Sequence, residues 1–159
     1  MKKFELTAES KINAFGKKLF RIKALISFGS VEEGETGGWV EKEENVNQSG
    51  NAWVFDNAEV SGNARVFGNA EVSGNAWVSG NAWVFDNADY ATIHGFGTQF
   101  RTTTFFRCKD KQVKVSCGCF YGTIPEFREQ VKNTRKGKIA EEYLMIADLM
   151  EKHFAEEAK

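Results

Sequence analysis

The sequence predicts a mainly β protein: a short left-handed parallel β-helix with an N-terminal β cap and a C-terminal cap of a β-hairpin and two helices. Three observations lead to this fold class. The middle of the chain repeats a six-residue unit, and the segment before it alternates apolar and polar residues. The segment after it carries two stretches with the apolar spacing of helices.

The repeat consists of seven hexads with the pattern Asn-Ala-x-Val-x-(Gly/Asp), which run without insertion over residues 51–92. Seven copies in one frame are too many to arise by chance. Two positions of the hexad are apolar throughout. One holds Val54, Val60, Val66, Val72, Val78, Val84 and Tyr90, and the other holds Ala52, Ala58, Ala64, Ala70, Ala76, Ala82 and Ala88.

The spacing within the hexad predicts short strands joined by sharp corners. Side chains two residues apart share one face of a strand, whereas a helix of period 3.6 cannot keep a six-residue pattern on one side. The Gly-Asn and Asp-Asn pairs suit corners, because Gly and Asn tolerate left-handed backbone angles. Three hexads, about 18 residues, would form one coil of triangular section. Since about three coils fit in the repeat, their ends require caps or partner chains.

The flanking segments are predicted to be caps, which divides the chain into three parts: 1–36, 37–96 and 97–159. In the first part, apolar and polar residues alternate over residues 20–28. This period of two is typical of a strand with one buried face. We therefore expect an N-terminal β cap over the first coil.

The C-terminal part predicts two strands followed by two helices. TTTFFRC and KQVKVSCGCF have the composition of strands in a hairpin. Thr123 and Glu126 have the spacing of a capping box at a helix start, and Gly137 separates that helix from a second one. The apolar residues of the second helix recur every three or four positions: Ile139, Tyr143, Ile146, Met150 and Phe154.

Charge is distributed unevenly, although the net charge is only −1. The repeat region, residues 37–92, holds two basic and eight acidic residues, whereas residues 93–159 hold twelve basic and nine acidic residues. The acidic balance of the repeat argues against non-specific binding of nucleic acid. No run of about 18 apolar residues exists, so we predict no membrane helix and no membrane partner.

The N-terminus and the cysteines predict a cytoplasmic location. Two lysines stand near the start, but no apolar segment follows them, so we predict no secretory signal. The three cysteines are an odd number, and reduced thiols in the cytoplasm are the simplest interpretation.

Three stretches carry a resemblance to a known family: RIKALISFGSVEEGETGGWVEKEENV, the NAxVxG repeats, and TTFFRCKDKQVKVSCGCFYGTIPEFREQVK. They resemble hexapeptide-repeat proteins of bacteriophages and phage-rich bacterial genomes, a likeness that covers nearly the whole chain. The GGWVEKEEN entry and the CGCFYGT cap make it more specific than the repeats alone. It implies a left-handed β-helix, a mobile-element origin and hence the cytoplasm of a host cell. It supplies no established activity.

Histidine is the residue to consider for an enzyme of the acyltransferase type, since hexapeptide-repeat acyltransferases use a catalytic histidine near a groove between subunits. The chain offers His94, in a Gly-flanked turn after the last hexad, and His153, near the end of the last helix. No long loop interrupts the hexads to build an acceptor pocket. His94 is therefore a weak candidate for a general base, and a capping or surface role is favoured.

The cysteines raise the question of a metal. Cys117 and Cys119 form a CxC pair, which Cys108 and the histidines could complete as a zinc site. However, the pair alternates along one strand face with Val113 and Val115, which favours packing in a core. Zinc modules also carry a second pair, which is missing here. We predict no metal and no cofactor, with the three cysteines as weak candidates.

The outward positions of the hexads carry the strongest binding candidates. Large aromatic side chains on an outer face are not expected of a small soluble protein. One interpretation is self-association, most simply a trimer, or a cap folded over the face. The other is a site where aromatic rings stack on a flat group and an arginine meets an anion. One face carries Arg65, Phe67, Trp83 and Phe85, and the other two carry Trp53 and Trp77.

The first C-terminal helix adds a basic group to these candidates. Arg128, Lys132 and Arg135 lie on it or at its end. Such a group is commonly a solvated helix face. The alternative is that it binds the phosphates of a nucleotide or an acidic protein surface.

Together these features predict a non-enzymatic, phage-encoded protein that forms a homo-oligomer and works by binding. Its ligand is expected to be a small anion such as a nucleotide, or its partner a host defence protein. The alternatives are an acyltransferase-like enzyme that uses His94 and a purely structural assembly protein.

Overall fold

The structure is a computed structural model that describes residues 2–99, 101–118 and 120–155. Short 3-10 helices lie at Glu43–Asn45 and Asn87–Asp89. The strands and helices of the described ranges are, in chain order, β1 (Phe4–Ile12), β2 (Lys18–Ala24), β3 (Thr36–Val40), β4 (Trp53–Val54), β5 (Glu59–Val60), β6 (Arg65–Val66), β7 (Glu71–Val72), β8 (Trp77–Val78), β9 (Trp83–Val84), β10 (Tyr90–Phe96), β11 (Arg101–Arg107), β12 (Val113–Cys117), β13 (Phe120–Thr123), α1 (Ile124–Thr134) and α2 (Gly137–Phe154).

Each of the first six hexads forms a strand of only two residues, the outward residue and the valine after it. The first three of these strands each pair in parallel with the strand 18 residues further along the chain. In β6 and β9, Arg65 lies opposite Trp83 and Val66 opposite Val84. β4 pairs with β7 and β5 with β8 in the same way. Residues 18 apart therefore share one face, as predicted.

The inward residues of these six hexads form one hydrophobic core. The valines from Val54 to Val84 and the alanines from Ala52 to Ala82 are at most 1% exposed. The alanines and valines of successive hexads belong to the same hydrophobic cluster. Because a two-residue strand cannot bury its side chains alone, the hexads depend on their neighbours for stability.

The seventh hexad departs from the repeat. Asp86 accepts a hydrogen bond from the backbone N–H of Ala88 at 2.8 Å and caps the 3-10 helix that follows. Asp89 accepts from the backbone N–H of Phe85 at 2.9 Å. These local bonds replace the corner geometry, so Ala88 is exposed rather than buried.

The predicted fold class, a left-handed parallel β-helix with two caps, is wrong. The described residues form a mainly β structure of four small separate sheets and two helices. One sheet has the order β1-β2-β3-β5-β8 and another β10-β11-β12-β13, while β4-β7 and β6-β9 are two-stranded. Strand length is the physical reason. Two residues per hexad give very short ladders, so larger sheets arise only where the terminal segments add longer strands.

The N-terminal part shares a sheet with the hexads instead of forming a separate cap. β1 and β2 form an antiparallel hairpin, and β2 pairs antiparallel with β3. β3 then pairs in parallel with β5, where Trp39 lies opposite Glu59. This sheet crosses the predicted boundary at residues 36 and 37. The limits of the three predicted parts stay a prediction.

A hairpin was predicted for the C-terminal part, which instead contributes three strands to a four-stranded antiparallel sheet whose first strand, β10, precedes residue 97. Its strand β11 lies between two cores, because consecutive side chains point to opposite faces. Phe106 is buried in the hexad core, whereas Phe105 is buried in a second core with Phe127 and Tyr143. The sheet therefore joins the hexads to the helices.

The two predicted helices are present. At the start of α1, the Thr123 side chain accepts from the Glu126 N–H at 3.2 Å, and the Glu126 carboxylate accepts from the Thr123 N–H at 2.9 Å. This is the predicted capping box. No helix in the described ranges is long and apolar enough to cross a membrane.

A buried lysine near the N-terminus makes stability depend on pH. The Lys3 side chain donates to the carbonyl oxygens of Gly50 at 3.3 Å and Ala52 at 2.7 Å, and its ammonium lies 4.6 Å from the Phe28 ring centroid. Burial lowers the pKa of Lys3 to about 8. Above that value the unfolded chain holds a proton that the folded chain has released, so stability rises with pH up to the ordinary lysine pKa.

We expect Lys3→Met to remove this dependence. Between about pH 7.5 and about pH 9, the free energy of unfolding of the wild type should rise by about 1 kcal/mol more than that of Lys3→Met. Urea denaturation at both pH values measures it. Lys2→Met is the matched control, because Lys2 is 61% exposed and should leave the wild-type dependence intact. Equal pH dependence in the wild type and Lys3→Met would contradict the prediction.

Candidate functional site

Three aromatic rings meet on the outer side of β6 and β9, and we call Phe67, Trp83 and Phe85 the aromatic face. The ring centroids lie 5.8 Å apart for Phe67 and Trp83, 3.8 Å for Phe67 and Phe85, and 5.9 Å for Trp83 and Phe85. Phe85 remains 48% exposed. An exposed cluster of this kind is typical of a binding surface.

The hexad register positions these rings. Val66 and Val84 point inward, so the residues on either side of each valine point outward. The backbone N–H of Phe67 donates to the Val84 carbonyl at 3.0 Å, which fixes the two strands relative to each other. Arg65 lies directly beside Trp83 in this register. The structure therefore brings together the four residues that the sequence predicted for this face.

A lysine from the β11–β12 turn completes the group. The Lys109 ammonium lies 5.3 Å from the Trp83 ring centroid, within the range of a cation–π interaction. The turn is held there by its backbone, since the Lys109 N–H donates to the Asn81 carbonyl at 2.9 Å and Ala82 forms an antiparallel bridge with Cys108. The backbone of this turn thus places the Lys109 ammonium next to the Trp83 ring.

A cavity of about 270 Å³ opens between the aromatic face and this turn. Lys109 and Lys111 line it together with Trp83 and Phe85. Arg107 lines it too, but its guanidinium is already paired with Asp89 at 3.2 Å. The two lysines are exposed and leave the cavity with an excess of positive charge.

A second cavity of about 400 Å³ lies on the other side of Trp83. Arg65 and Phe67 line it together with Glu43 and Glu44. The acidic residues offset the arginine, so this side is closer to neutral. A ring stacked on Trp83 would therefore have its anionic group favoured on the lysine side.

Trp53 does not belong to an exposed site. It is fully buried, and its ring packs edge-on against Phe4 at 5.8 Å and Phe28 at 5.3 Å between centroids. The N-terminal segment folds over this face and covers it. Of the interpretations given to the outer aromatics, cap packing describes Trp53.

Trp77 is half-buried on a different face. Its ring lies 6.1 Å from Phe15 at the tip of the β1–β2 hairpin, and its backbone N–H donates to the Thr104 hydroxyl at 3.0 Å. The aromatic face therefore does not include Trp77. Its indole lines a separate cavity of about 530 Å³.

His94 lies on β10 with an exposed side chain that lines the same 530 Å³ cavity as Trp77. Its Nδ1 is 3.0 Å from the Thr102 hydroxyl. Among the described residues His94 hydrogen-bonds to this hydroxyl and to no carboxylate of the kind that orients a general base. A catalytic role for His94 stays a prediction.

The basic helix candidates have different surroundings. Arg128 is bound to Asp148 at 2.8 Å and Glu151 at 2.9 Å, which tie α1 to α2 and raise the pKa of its guanidinium. Lys132 and Arg135 are exposed at the other end of the helix. They lie away from the aromatic face, which takes its cations from other elements.

The cysteine candidates are not brought together where they are described. Cys108 is buried against the hexad core, and burial raises the pKa of its thiol to about 12. Cys117 packs on the second core, where its sulfur accepts from the Thr103 hydroxyl at 3.1 Å. Cys119 lies outside the described residues. In those ranges no group of three His, Cys, Asp or Glu side chains could hold a metal ion.

Lys109 and Lys111 are the functional candidates that the sequence analysis did not single out. Their signal was present, because the segment just after the repeat is strongly basic. The sequence does not reveal that the Lys109 N–H donates to the Asn81 carbonyl, a bond that holds this segment against the hexads. No local pattern predicts that contact.

No protein-family model matches this chain. No curated protein matches its sequence. The resemblance to phage hexapeptide-repeat proteins therefore stays a prediction that rests on the quoted residues.

Proposed function

We propose that the protein is a non-enzymatic binding protein that sequesters a small, nucleotide-like anion on its aromatic face. The observation that carries the proposal is the pairing of Trp83 with Lys109 at 5.3 Å. A half-exposed indole offers a surface for a flat ring, and a lysine beside it can take the negative charge on the same molecule. Phe67, Phe85 and Arg65 extend this surface along the next strand.

The proposed setting is the cytoplasm of a host cell. Cys108 and Cys117 are free thiols in the described part of the chain, which supports a reducing compartment. A phage origin rests on the sequence resemblance alone.

Self-association is the second candidate role for the same face. The exposed apolar area around Phe85 supports it, since such patches commonly mark contacts between subunits. A trimer about a threefold axis is the simplest closed arrangement. Binding and assembly are compatible, because clefts between subunits are common places for ligands.

The test of sequestration compares AMP with adenosine in calorimetric titrations. We expect AMP to bind more tightly than adenosine, and Trp83→Ala to weaken AMP binding by about tenfold to a hundredfold through the lost stacking. Trp83→Phe should keep part of the affinity, because a ring remains. Lys132→Met, on an exposed lysine away from the face, is the control and should bind like the wild type.

Native mass spectrometry of the protein taken from expressing cells separates the two roles. An oligomer that carries an additional small-molecule mass supports sequestration and gives the ligand class. A bare oligomer that binds neither AMP nor adenosine contradicts it and favours assembly alone.

A further inference from the structure

The cavity of about 530 Å³ that Trp77 and His94 line is separate from the aromatic face. Its walls come from three parts of the chain: the tip of the β1–β2 hairpin, the outer side of β5 and β8, and the end of the C-terminal sheet. This volume is within the range of small-molecule sites. It shares no lining residue with the cavities beside Trp83.

One wall is aromatic. Trp77 is half-buried and lines the cavity, and Phe15 packs edge-on against it at 6.1 Å. The hairpin tip places Phe15 next to the indole, with the two ring planes at 72° to each other. A partly exposed indole is a surface on which a flat apolar ring can pack.

The charges of the cavity sum to a small positive value. Lys11 pairs with Glu59 at 2.9 Å, and the Glu59 side chain is only 9% exposed. Lys11 also lies 4.7 Å from the Trp39 ring centroid, so its ammonium has two partners. These two residues cancel in charge, which leaves Arg101 as the cation of the lining that has no acidic partner among the described residues.

Arg101 is held in place with donors to spare. Its Nε and Nη2 both donate to the Gln99 side chain, with a distance of 3.0 Å from Nε. Its Nη1 packs against Gly118, where any side chain would collide with the guanidinium. Of the five N–H groups of an arginine, the bonds to Gln99 use two, and three have no acceptor among the described residues. Neighbouring amide and hydroxyl groups of Asn57, Asn75 and Thr102 add hydrogen-bonding capacity.

We infer that this cavity is a second binding site, which takes a small aromatic carboxylate with its ring against Trp77 and its carboxylate on Arg101. A single negative charge matches the charge of Arg101, and arginine and carboxylate form a strong charge-assisted pair. A phosphate dianion fits less well, because the described residues of the lining offer only one cation without an acidic partner for its two negative charges. The inference does not depend on the function proposed for the aromatic face.

The tryptophans allow the two sites to be measured separately. Trp39 and Trp53 are buried, whereas Trp77 lines this cavity and Trp83 lies on the aromatic face. The four indole N–H resonances in a ¹⁵N-labelled sample, assigned with Trp77→Phe and Trp83→Phe, therefore report on the core and on each site. Naphthoate and its neutral amide, naphthamide, are matched probes of the same shape.

We expect naphthoate to shift the Trp77 resonance to saturation and naphthamide to bind about tenfold more weakly. Arg101→Gln should remove that difference, whereas Arg65→Gln, on the aromatic face, should leave it unchanged. Unchanged Trp39 and Trp53 resonances show that each variant is folded. The inference is overturned if naphthoate shifts Trp83 instead of Trp77, if acid and amide bind alike, or if Arg101→Gln binds like the wild type. AMP binding is followed at Trp83. A negative result with naphthoate at Trp77 would therefore leave the function proposed for the aromatic face to be decided by its own test.

Discussion

Replacing Trp53 with alanine is expected to lower the free energy of unfolding by about 3–5 kcal/mol. Trp53 is fully buried, and its ring fills the space between the hexads and the N-terminal residues Phe4 and Phe28. Removal of the indole would leave a cavity that the short hexad strands cannot collapse to fill. Urea denaturation followed by far-UV circular dichroism measures the loss.

The chain contains its own matched control for this change. Trp83 stands at the same position of an identical hexapeptide, NAWVFD, but it is half-buried on the aromatic face. We expect Trp83→Ala to cost only about 1 kcal/mol. Equal losses in the two variants would show that the N-terminal segment does not pack on Trp53 in solution.

A second variant separates packing from hydrogen bonding. Within the described residues Trp53 Nε1 is buried and has no hydrogen-bond partner. Trp53→Phe removes that unpaired donor and keeps most of the ring, so it should cost less than about 1.5 kcal/mol. A cost as large as that of Trp53→Ala would mean that the indole N–H is bound by a group outside the described contacts.

The two copies of NAWVFD, residues 51–56 and 81–86, show what the sequence could predict and what it could not. In both copies the valine and alanine are buried, as the six-residue period predicts. The corner residue differs, since Asp56 has a φ of 55° and continues the repeat, whereas Asp86 is extended at −153° and caps a 3-10 helix. The two identical hexapeptides therefore adopt different corner conformations, because the residues after them differ: Asp89, which accepts from the Phe85 N–H, stands where the first copy is followed by Glu59.

The outward positions show a different limit. The repeat predicts that Trp53, Trp77 and Trp83 lie in three different strand pairs, and the register shows them in β4–β7, β5–β8 and β6–β9. Which face is covered depends on where the N-terminal strands pack. The period-two pattern of residues 20–28 predicts a strand with an apolar side, but it carries no information on its partner. Trp53 is a core residue because the N-terminal segment packs on its face, which the pattern does not predict.

The candidate site was predictable to the extent that one repeat register creates it. A spacing of 18 residues predicts this group, because the paired strands β6 and β9 and the residues after them contribute all four side chains: Arg65, Phe67, Trp83 and Phe85. Lys109 comes from a turn whose position depends on the long-range bond to Asn81. A position fixed by one backbone hydrogen bond between separate elements leaves no periodic trace in the sequence.

Adjacent phenylalanines on β11 give the last prediction, because they lie in different cores. Phe106 is buried with Val84 and Ala82 in the hexad core. Phe105 is buried in the second core, where its ring centroid lies 6.0 Å from that of Phe127. Each change to alanine is expected to cost about 3–5 kcal/mol. The two variants should lose similar amounts of stability, but different parts of the structure should be destabilised.

Hydrogen exchange of the two variants measures that location. Phe106→Ala should accelerate exchange in β8 and β9 and weaken ligand binding at Trp83, because the loosened core lies directly behind the aromatic face. Phe105→Ala should accelerate exchange in α1 and α2 and leave binding at Trp83 near the wild-type value. The same exchange pattern in both variants would contradict the two-core arrangement. If instead the patterns differ as expected, β11 is the element that joins the hexads to the helices. Lys109 lies two residues beyond the end of β11, so the packing of β11 on the hexads also places Lys109 beside Trp83.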